Sequence, residues 1–233
     1  MIGVIVPAHN EAADIGRCLA SVNAAAVHPA LGGEPVVAVV ALDACTDGTA
    51  ELCAHHGAVA IQLDARCVGV SRAAAARHAL GMGARWVAST DADTVVPPDW
   101  VWKQVSCGAE AFCGVVDVID WLDYPPGVRE AFAGRERSCD GHAHVHGANL
   151  GLSAAAYEKA GGFPPLTTGE DVALVKALLN SQISIAWRAR PTVFTSARRS
   201  ARAPQGFSGF LQALEREVLG NCGGRLSPQA VVP

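Results

Sequence analysis

The chain is short of charge and short of aromatic side chains. Of its 233 residues, 17% are Asp, Glu, Lys or Arg and 6% are Phe, Trp or Tyr, against 50% hydrophobic. The excess is Ala, Val and Gly, so helices and sheet are expected to pack closely through small side chains. A net charge of −4 offers no basic surface for nucleic acid or an anionic membrane. No apolar run reaches the roughly 20 residues that span a bilayer. The N-terminal MIGVIVPAHNE lacks the basic start of a secretory leader and reads as a first strand. Eight cysteines are present (Cys18, Cys45, Cys53, Cys67, Cys107, Cys113, Cys139 and Cys222), but no two are spaced CxxC, which argues against zinc-ribbon and thioredoxin-type motifs. They are expected as reduced, mostly buried thiols of a cytoplasmic protein. No GxGxxG follows the first strand, so the dinucleotide fingerprint is missing. There is neither an internal repeat nor a low-complexity linker, and the length suits one large domain or two small ones.

What is present is an alternation. Residues 3–6 are a continuous apolar run, as in a strand covered on both faces, and stop at Pro7-Ala8-His9-Asn10-Glu11. Ile15, Leu19 and Val22 are the stripe of a helix that ends before His28-Pro29. Strands over 36–42, over 58–63 and from Trp86 then alternate with helices over 49–56 and 69–83. The order β-α-β-α-β-α-β calls for a mostly parallel, doubly wound α/β sheet with right-handed crossovers. Beyond Trp100 the pattern becomes mixed α+β. It reads as a helix over 100–107, a strand over 112–119 and a polar, partly helical stretch over 125–139. A strand over 145–153 capped by Ser153 and helices over 154–160 and from Thr168 come next. Short strands over 183–187 and 192–195 and an amphipathic helix over 207–219 close the chain.

The polar clusters fall at the C-terminal ends of strands, the edge where parallel α/β sheets bind ligands. Asp91-Ala92-Asp93 is the sharpest of them: two carboxylates at i and i+2 suit a hard divalent cation that can neutralise phosphate. The same residues also make an ordinary Asp-rich turn. They fit, too, the DxDxT nucleophile motif of haloacid-dehalogenase-type phosphatases, whose first Asp is phosphorylated. That motif normally ends a first strand, whereas three strands precede this one, and neither a suitable acidic motif nor an evident catalytic Lys follows. Glu170-Asp171 opens a helix, where backbone N–H groups and the helix dipole hold a carboxylate; capping alone would also favour acids there. His142, His144 and His146 alternate, so on a strand they share a face, open to metal binding or simply polar. Arg198-Arg199-Ser200-Ala201-Arg202 is the densest positive patch, suited to clamping a diphosphate or lying solvated in a loop.

Taken in order, VIVPAHNE, ALDACTDGT, TDAD, GANLGLSAAAYEKAGGFP and GEDVAL resemble the motifs of family-two glycosyltransferases of the GT-A fold. They cover residues 2–179, most of the chain. Two departures stand out: Leu42 occupies the place of a second acid beside Asp43, and the Arg that usually follows the third strand is either Arg72 or Arg77, with Arg72 favoured. The long C-terminal extension and membrane helices of polysaccharide synthases are not in the sequence, which points to a small or soluble hydroxyl acceptor. The resemblance implies a single GT-A domain over 1–233, with a nucleotide-binding half over 1–95 and an acceptor-side half over 96–233.

It also implies residue roles. Pro7, Ala8, His9, Glu11, Asp43, Arg72, Asp91, Ala92 and Asp93 would bind a UDP- or GDP-linked sugar, with Asp93 the main ligand of Mn²⁺ or Mg²⁺ and Asp91 reaching the ribose or, through water, the metal. A His completing that metal site stays open. Asp171 would be the general base of an inverting displacement. Gly147, Asn149 and Glu170 would serve the acceptor, and Arg198, Arg199 and Arg202 the phosphates. Trp100 and Trp121 can stack on a sugar or fill the core, and the core is the more frequent fate of a single Trp. A sugar-phosphate nucleotidyltransferase would need a Gly-rich loop in place of PAHNE. A non-catalytic nucleotide-sugar-binding relative would not need Asp91, Asp93 and Asp171 all intact. A homodimer stays open.

Overall fold

The computed structural model describes residues 1–135, 139–199 and 206–223. Its first part is the expected alternation: β1 (Ile2–Ala8), α1 (Ile15–Ala26), β2 (Val36–Asp43), α2 (Thr49–His55), β3 (Val59–Leu63), α3 (Val68–Gly81) and β4 (Trp86–Ser89). Then come α4 (Trp100–Val105), β5 (Ala111–Val118), α5 (Pro126–Arg135), a single 3₁₀ turn over Gly147–Asn149, β6 (Leu150–Ser153), α6 (Ala154–Lys159), α7 (Glu170–Asn180), β7 (Ile185–Thr195) and α8 (Phe207–Gly223).

The seven strands form one sheet in the order β3-β2-β1-β4-β6-β5-β7. β1 pairs in parallel with β2 and β4, and β2 with β3. β6 runs antiparallel to both neighbours, β4 and β5, while β5 and β7 are parallel. The loops after β1, β2 and β4 therefore share one edge, next to the strand where the sheet reverses direction. The two short strands expected near the C-terminus are one long strand, β7, whose register against β5 shifts between Gly114 and Val116. The expected strand over 145–153 is shortened to β6 because Gly147–Asn149 tighten into the 3₁₀ turn.

The scarcity of large side chains has a direct packing consequence. Ala75, Ala76 and Ala79 of α3 are fully buried against the sheet. A Cβ placed on Gly3 of β1 would lie 2.6 Å from the Ala79 Cβ, so this helix sits closer than a bulkier pair would allow. α6 is capped as expected, with Ser153 Oγ accepting from Ala156 N at 3.2 Å.

The chain divides into two compact units. One contains the sheet, over Met1–Ile119 and 139–196; the other contains α5, the residues from Asp120 that lead into it, and α8. Within the second unit Phe132 meets Trp121, Phe207 and Phe210 edge-on at centroid distances of 5.3, 5.9 and 6.3 Å. No helix among the described residues is long and apolar enough to cross a membrane.

Candidate active site

At the ends of β1 and β2, two loops are stitched into one rim. His9 Nδ1 lies 2.7 Å from the Asp43 carbonyl oxygen. Asn10 adopts a left-handed backbone (φ 53°), and its Oδ1 accepts from Thr46 N at 2.7 Å. Asp47 accepts from Ala12 N (3.0 Å) and Thr49 N (3.1 Å), while Thr49 Oγ1 accepts from Glu11 N (2.9 Å). Cys45 donates its thiol to the Ala8 carbonyl at 3.3 Å. Glu11 is buried, and its carbonyl accepts the first amides of α1. Pro7 is half-buried and Ala8 buried beside this rim.

Asp43 is buried with both carboxylate oxygens fully used. Oδ1 accepts from Ala65 N (2.7 Å) and Arg66 N (2.8 Å), and Oδ2 from Cys67 N (2.9 Å) and Ser71 Oγ (2.8 Å). Burial pushes its pKa up, but the bonds from Arg66, Cys67, Ser71 and Ala65 outweigh burial and hold it below the usual carboxylate range. A carboxylate has about four lone-pair sites, and Asp43 uses them to shape the loop from β3 to α3.

Asp91-Ala92-Asp93 turns tightly off β4, with Thr94 N donating to the Asp91 carbonyl at 3.1 Å. Ala92 is buried; Asp91 and Asp93 are half-buried. Thr195, at the end of β7, donates its hydroxyl to Asp93 Oδ1 at 3.2 Å and accepts from Thr94 Oγ1 at 3.1 Å. Val95 and Phe194 exchange backbone bonds of 2.8 and 3.0 Å. Cys18 donates its thiol to the Asp91 carbonyl at 3.3 Å; burial, then Asp93 and Asp91, drive its pKa far up and keep the thiol protonated.

Arg72 joins this turn to the start of α7. Its Nη2 donates to Asp91 Oδ1 (2.6 Å), its Nε to Glu170 Oε1 (2.9 Å), and its Nη1 to Ser89 Oγ (2.6 Å) and the Gly147 carbonyl (3.0 Å). Burial opposes its charge, but Asp91, Glu170 and Asp171 outweigh burial and raise its pKa. Glu170 is buried, and burial raises its pKa; Arg72 offsets part of that and Asp171 adds to it. Asp171 is half-buried, with Oδ2 accepting from Gly147 N at 2.7 Å and Oδ1 from Val172 N at 2.8 Å. Arg77 is exposed on α3. Of the two arginines, Arg72 therefore lies among the carboxylates.

Other expected site residues have structural partners. Asn149 is fully buried, donating to the Val115 and Pro191 carbonyls (both 2.9 Å) and accepting from Trp100 Nε1 (2.9 Å). Its amide ties β5, β7 and α4 together and has no N–H left for an acceptor. Gly147 offers no side chain, and a Cβ there would meet Arg72 Nη2 at 2.5 Å. Trp100 is core, fully buried. Arg199 is committed within the smaller unit: it donates to Asp123 (2.8 Å) and Glu215 (2.6 Å) and stacks 4.1 Å over Tyr124. Arg198 is half-buried, and Arg202 lies outside the described residues.

His142, His144 and His146 are not on a strand. Their rings stack in succession at 5.5 and 6.1 Å, with His142 edge-on to Trp187. Among the described residues no three His, Cys, Asp or Glu side chains form a ready-made metal centre.

Sequence reading missed Ser71, Ser89 and Thr195. Ser71 precedes Arg72 in the first turn of α3, a placement that could have flagged it; the Thr195–Asp93 pairing spans 102 residues and leaves no local trace.

A seven-stranded mixed sheet, with acids at the edge beside its reversal, defines the class: a GT-A-type glycosyltransferase. The model of glycosyl transferase family 2 matches residues 3–137, more than half of the chain, and the protein belongs to that family. Among solved structures, S. aureus TarS 1–349 in complex with UDP-GlcNAc superposes with a TM-score of 0.67 at 16% identity, covering 97% of this chain and 68% of that one. The mannosyltransferase PcManGT from Pyrobaculum calidifontis, in complex with GDP-Man and Mn²⁺, gives 0.59 at 18%, covering 97% and 76%. M. tuberculosis glucosyl-3-phosphoglycerate synthase gives 0.56 at 19%, covering 100% and 84%. The chain thus spans about two thirds of the length of the TarS fragment. At these identities the likeness is one of fold. No curated protein matches the chain in sequence.

The phosphatase alternative does not survive. Asp91 lies in the turn after a central fourth strand with one carboxylate oxygen held by Arg72, and the family is that of glycosyl transferases.

Proposed function

We propose that this protein transfers a glycosyl group from a nucleoside-diphosphate sugar to a hydroxyl of a small or soluble acceptor, with inversion at the anomeric carbon. The observation that carries the reading is the chain from Asp91 through Arg72 to Glu170 and, through Gly147, to Asp171. It brings the turn that follows β4 and the start of α7 to a single guanidinium.

The donor set fits a divalent cation that arrives with its phosphates. Mg²⁺-like ions are held by one or two protein carboxylates plus substrate oxygens, not by an all-protein cage. Asp93, with Asp91 beside it, would hold Mn²⁺ or Mg²⁺, which when bound neutralises charge on a departing nucleoside diphosphate. The chain's own groups do the rest. Thr195 orients Asp93 by its hydroxyl. The rim formed by Pro7, Ala8, His9 and Glu11 receives the nucleoside, UDP- or GDP-linked as in the TarS and PcManGT complexes. Asp171 keeps its carboxylate oriented by two backbone amides and removes the acceptor proton as the new bond forms. A cytoplasmic location belongs to the same reading.

The test is a panel of UDP- and GDP-sugars with and without Mn²⁺, read by thermal unfolding. A ligand at 100 times its Kd stabilises by about 2.7 kcal/mol, which for a chain of this size moves Tm by roughly 5–10 °C. At least one nucleotide sugar should give that shift, and more with metal than without. No shift with any of them would refute the reading. The anomeric configuration of the product, read by NMR, separates inversion from retention.

A further inference from the structure

Arg72 gathers acceptors from several elements of the fold. The residue is 3% exposed, so its bonds go to protein and not to bulk water. Four of its five N–H directions are used, and the acceptors come from four places: Ser89 at the end of β4, Asp91 in the turn after it, Gly147 before β6 and Glu170 at the start of α7. Gly147 then donates its own amide to Asp171 Oδ2 at 2.7 Å. The missing side chain at 147 is what permits this contact, because a Cβ would lie 2.5 Å from Nη2 and 2.7 Å from the guanidinium carbon.

We infer that Arg72 is a positioning residue: it fixes Gly147 and, through its amide, the Asp171 carboxylate relative to the Asp91-Ala92-Asp93 turn. The inference rests on the proposed function for the meaning of that spacing, but not for its existence. A lysine cannot take over. Its ammonium is a compact point charge on a flexible stem and cannot meet four acceptors in the plane of a guanidinium fork. Glu170, Asp91 and Asp171 are the charges that face Arg72, and its loss would leave three carboxylates around an unfilled gap.

The experiment compares Arg72→Lys with the unaltered protein by two readouts. The first is hydrogen exchange of the Gly147 amide, with β1 and β2 as the internal control for folding. It should speed up by about tenfold or more while the control strands stay protected, since local opening is separable from global unfolding. The second is the split between kcat and donor KM. A base displaced by about 1 Å costs on the order of 100-fold in kcat, with donor KM within about threefold.

Unchanged Gly147 exchange in a folded Arg72→Lys protein would overturn the inference. So would a large rise in donor KM with kcat kept, the pattern of a direct donor ligand. If the unaltered protein transfers no sugar, the proposed function fails, and the exchange readout still decides the role of Arg72. Should Arg72→Lys not fold, Ser89→Ala, which removes one acceptor from Nη1, is expected to give the same two changes at smaller amplitude. Neither change in a folded Ser89→Ala protein would count against the inference.

Discussion

Replacing Asp43 by Asn changes almost no volume and leaves the loop after β3 without its organiser. In the native chain one carboxylate accepts four hydrogen bonds, three of them from the consecutive amides of Ala65, Arg66 and Cys67. The amide oxygen of Asn can keep the Ala65 and Arg66 pair. Its NH₂ then faces the Cys67 N–H, donor against donor, while the Ser71 hydroxyl can rotate to accept. The loss is one orphaned amide plus the charge assistance on the remaining bonds, about 2–4 kcal/mol at 1.5–3 kcal/mol per bond to a charged group.

With a urea m-value of about 3 kcal/mol/M, that moves the unfolding midpoint down by roughly 1 M. The pH dependence supplies a second check. The folded pKa of Asp43 is depressed, so its contribution is complete above the unfolded value of about 3.9 and is lost as pH falls through the lower folded value. The stability gap between native and Asn proteins should therefore be flat from about pH 5 to 8 and close below about pH 4. A gap under about 0.5 kcal/mol at pH 7, the size of an ordinary surface substitution, would refute the assignment.

Three further expectations are smaller in scope. Gly69→Ala should destabilise by about 1–3 kcal/mol, because its Cβ would meet the Pro164 carbonyl at 2.1 Å, backbone that cannot swing aside; Gly81→Ala in the same helix meets nothing within 4 Å and should gain roughly 0.5–1 kcal/mol, both read by urea melts. Arg77→Ala, on the exposed face of α3, should leave stability within about 0.5 kcal/mol, and turnover unchanged. Chelation by EDTA should lower turnover by roughly 100-fold or more, with Mn²⁺ or Mg²⁺ restoring it, since metal stabilisation of a leaving phosphate is worth several kcal/mol.

The first half of the fold was legible because strand and helix periods differ and each strand ends in a polar cluster. β1 to β4 fall within two residues of where the apolar runs put them. The second half was less so. The antiparallel insertion of β6 between β4 and β5, and the fusion of two short runs into β7, are set by pairing between distant segments that no local pattern records.

The candidate site divides in the same way. Asp91, Asp93, Glu170 and Asp171 were readable as acids at element ends. Whether a polar residue faces the open edge or is consumed inside was not. Asn149 and Asp43 also make structural bonds that no local pattern announced, to Val115, Pro191 and Trp100 in one case and to residues 65–67 and Ser71 in the other. Alternation placed the three histidines on one strand face, but no strand forms there, and ring stacking orders them instead.

The most direct measurement is transfer by Asp171→Asn beside the unaltered protein, with the nucleotide sugar and Mn²⁺ that give the largest thermal shift. The unaltered protein should release nucleoside diphosphate in an acceptor-dependent way. The Asn protein should keep the thermal shift, with turnover lower by about 10²–10⁴-fold, the range for a lost general base. Transfer by Asp171→Asn at the unaltered rate would contradict that role.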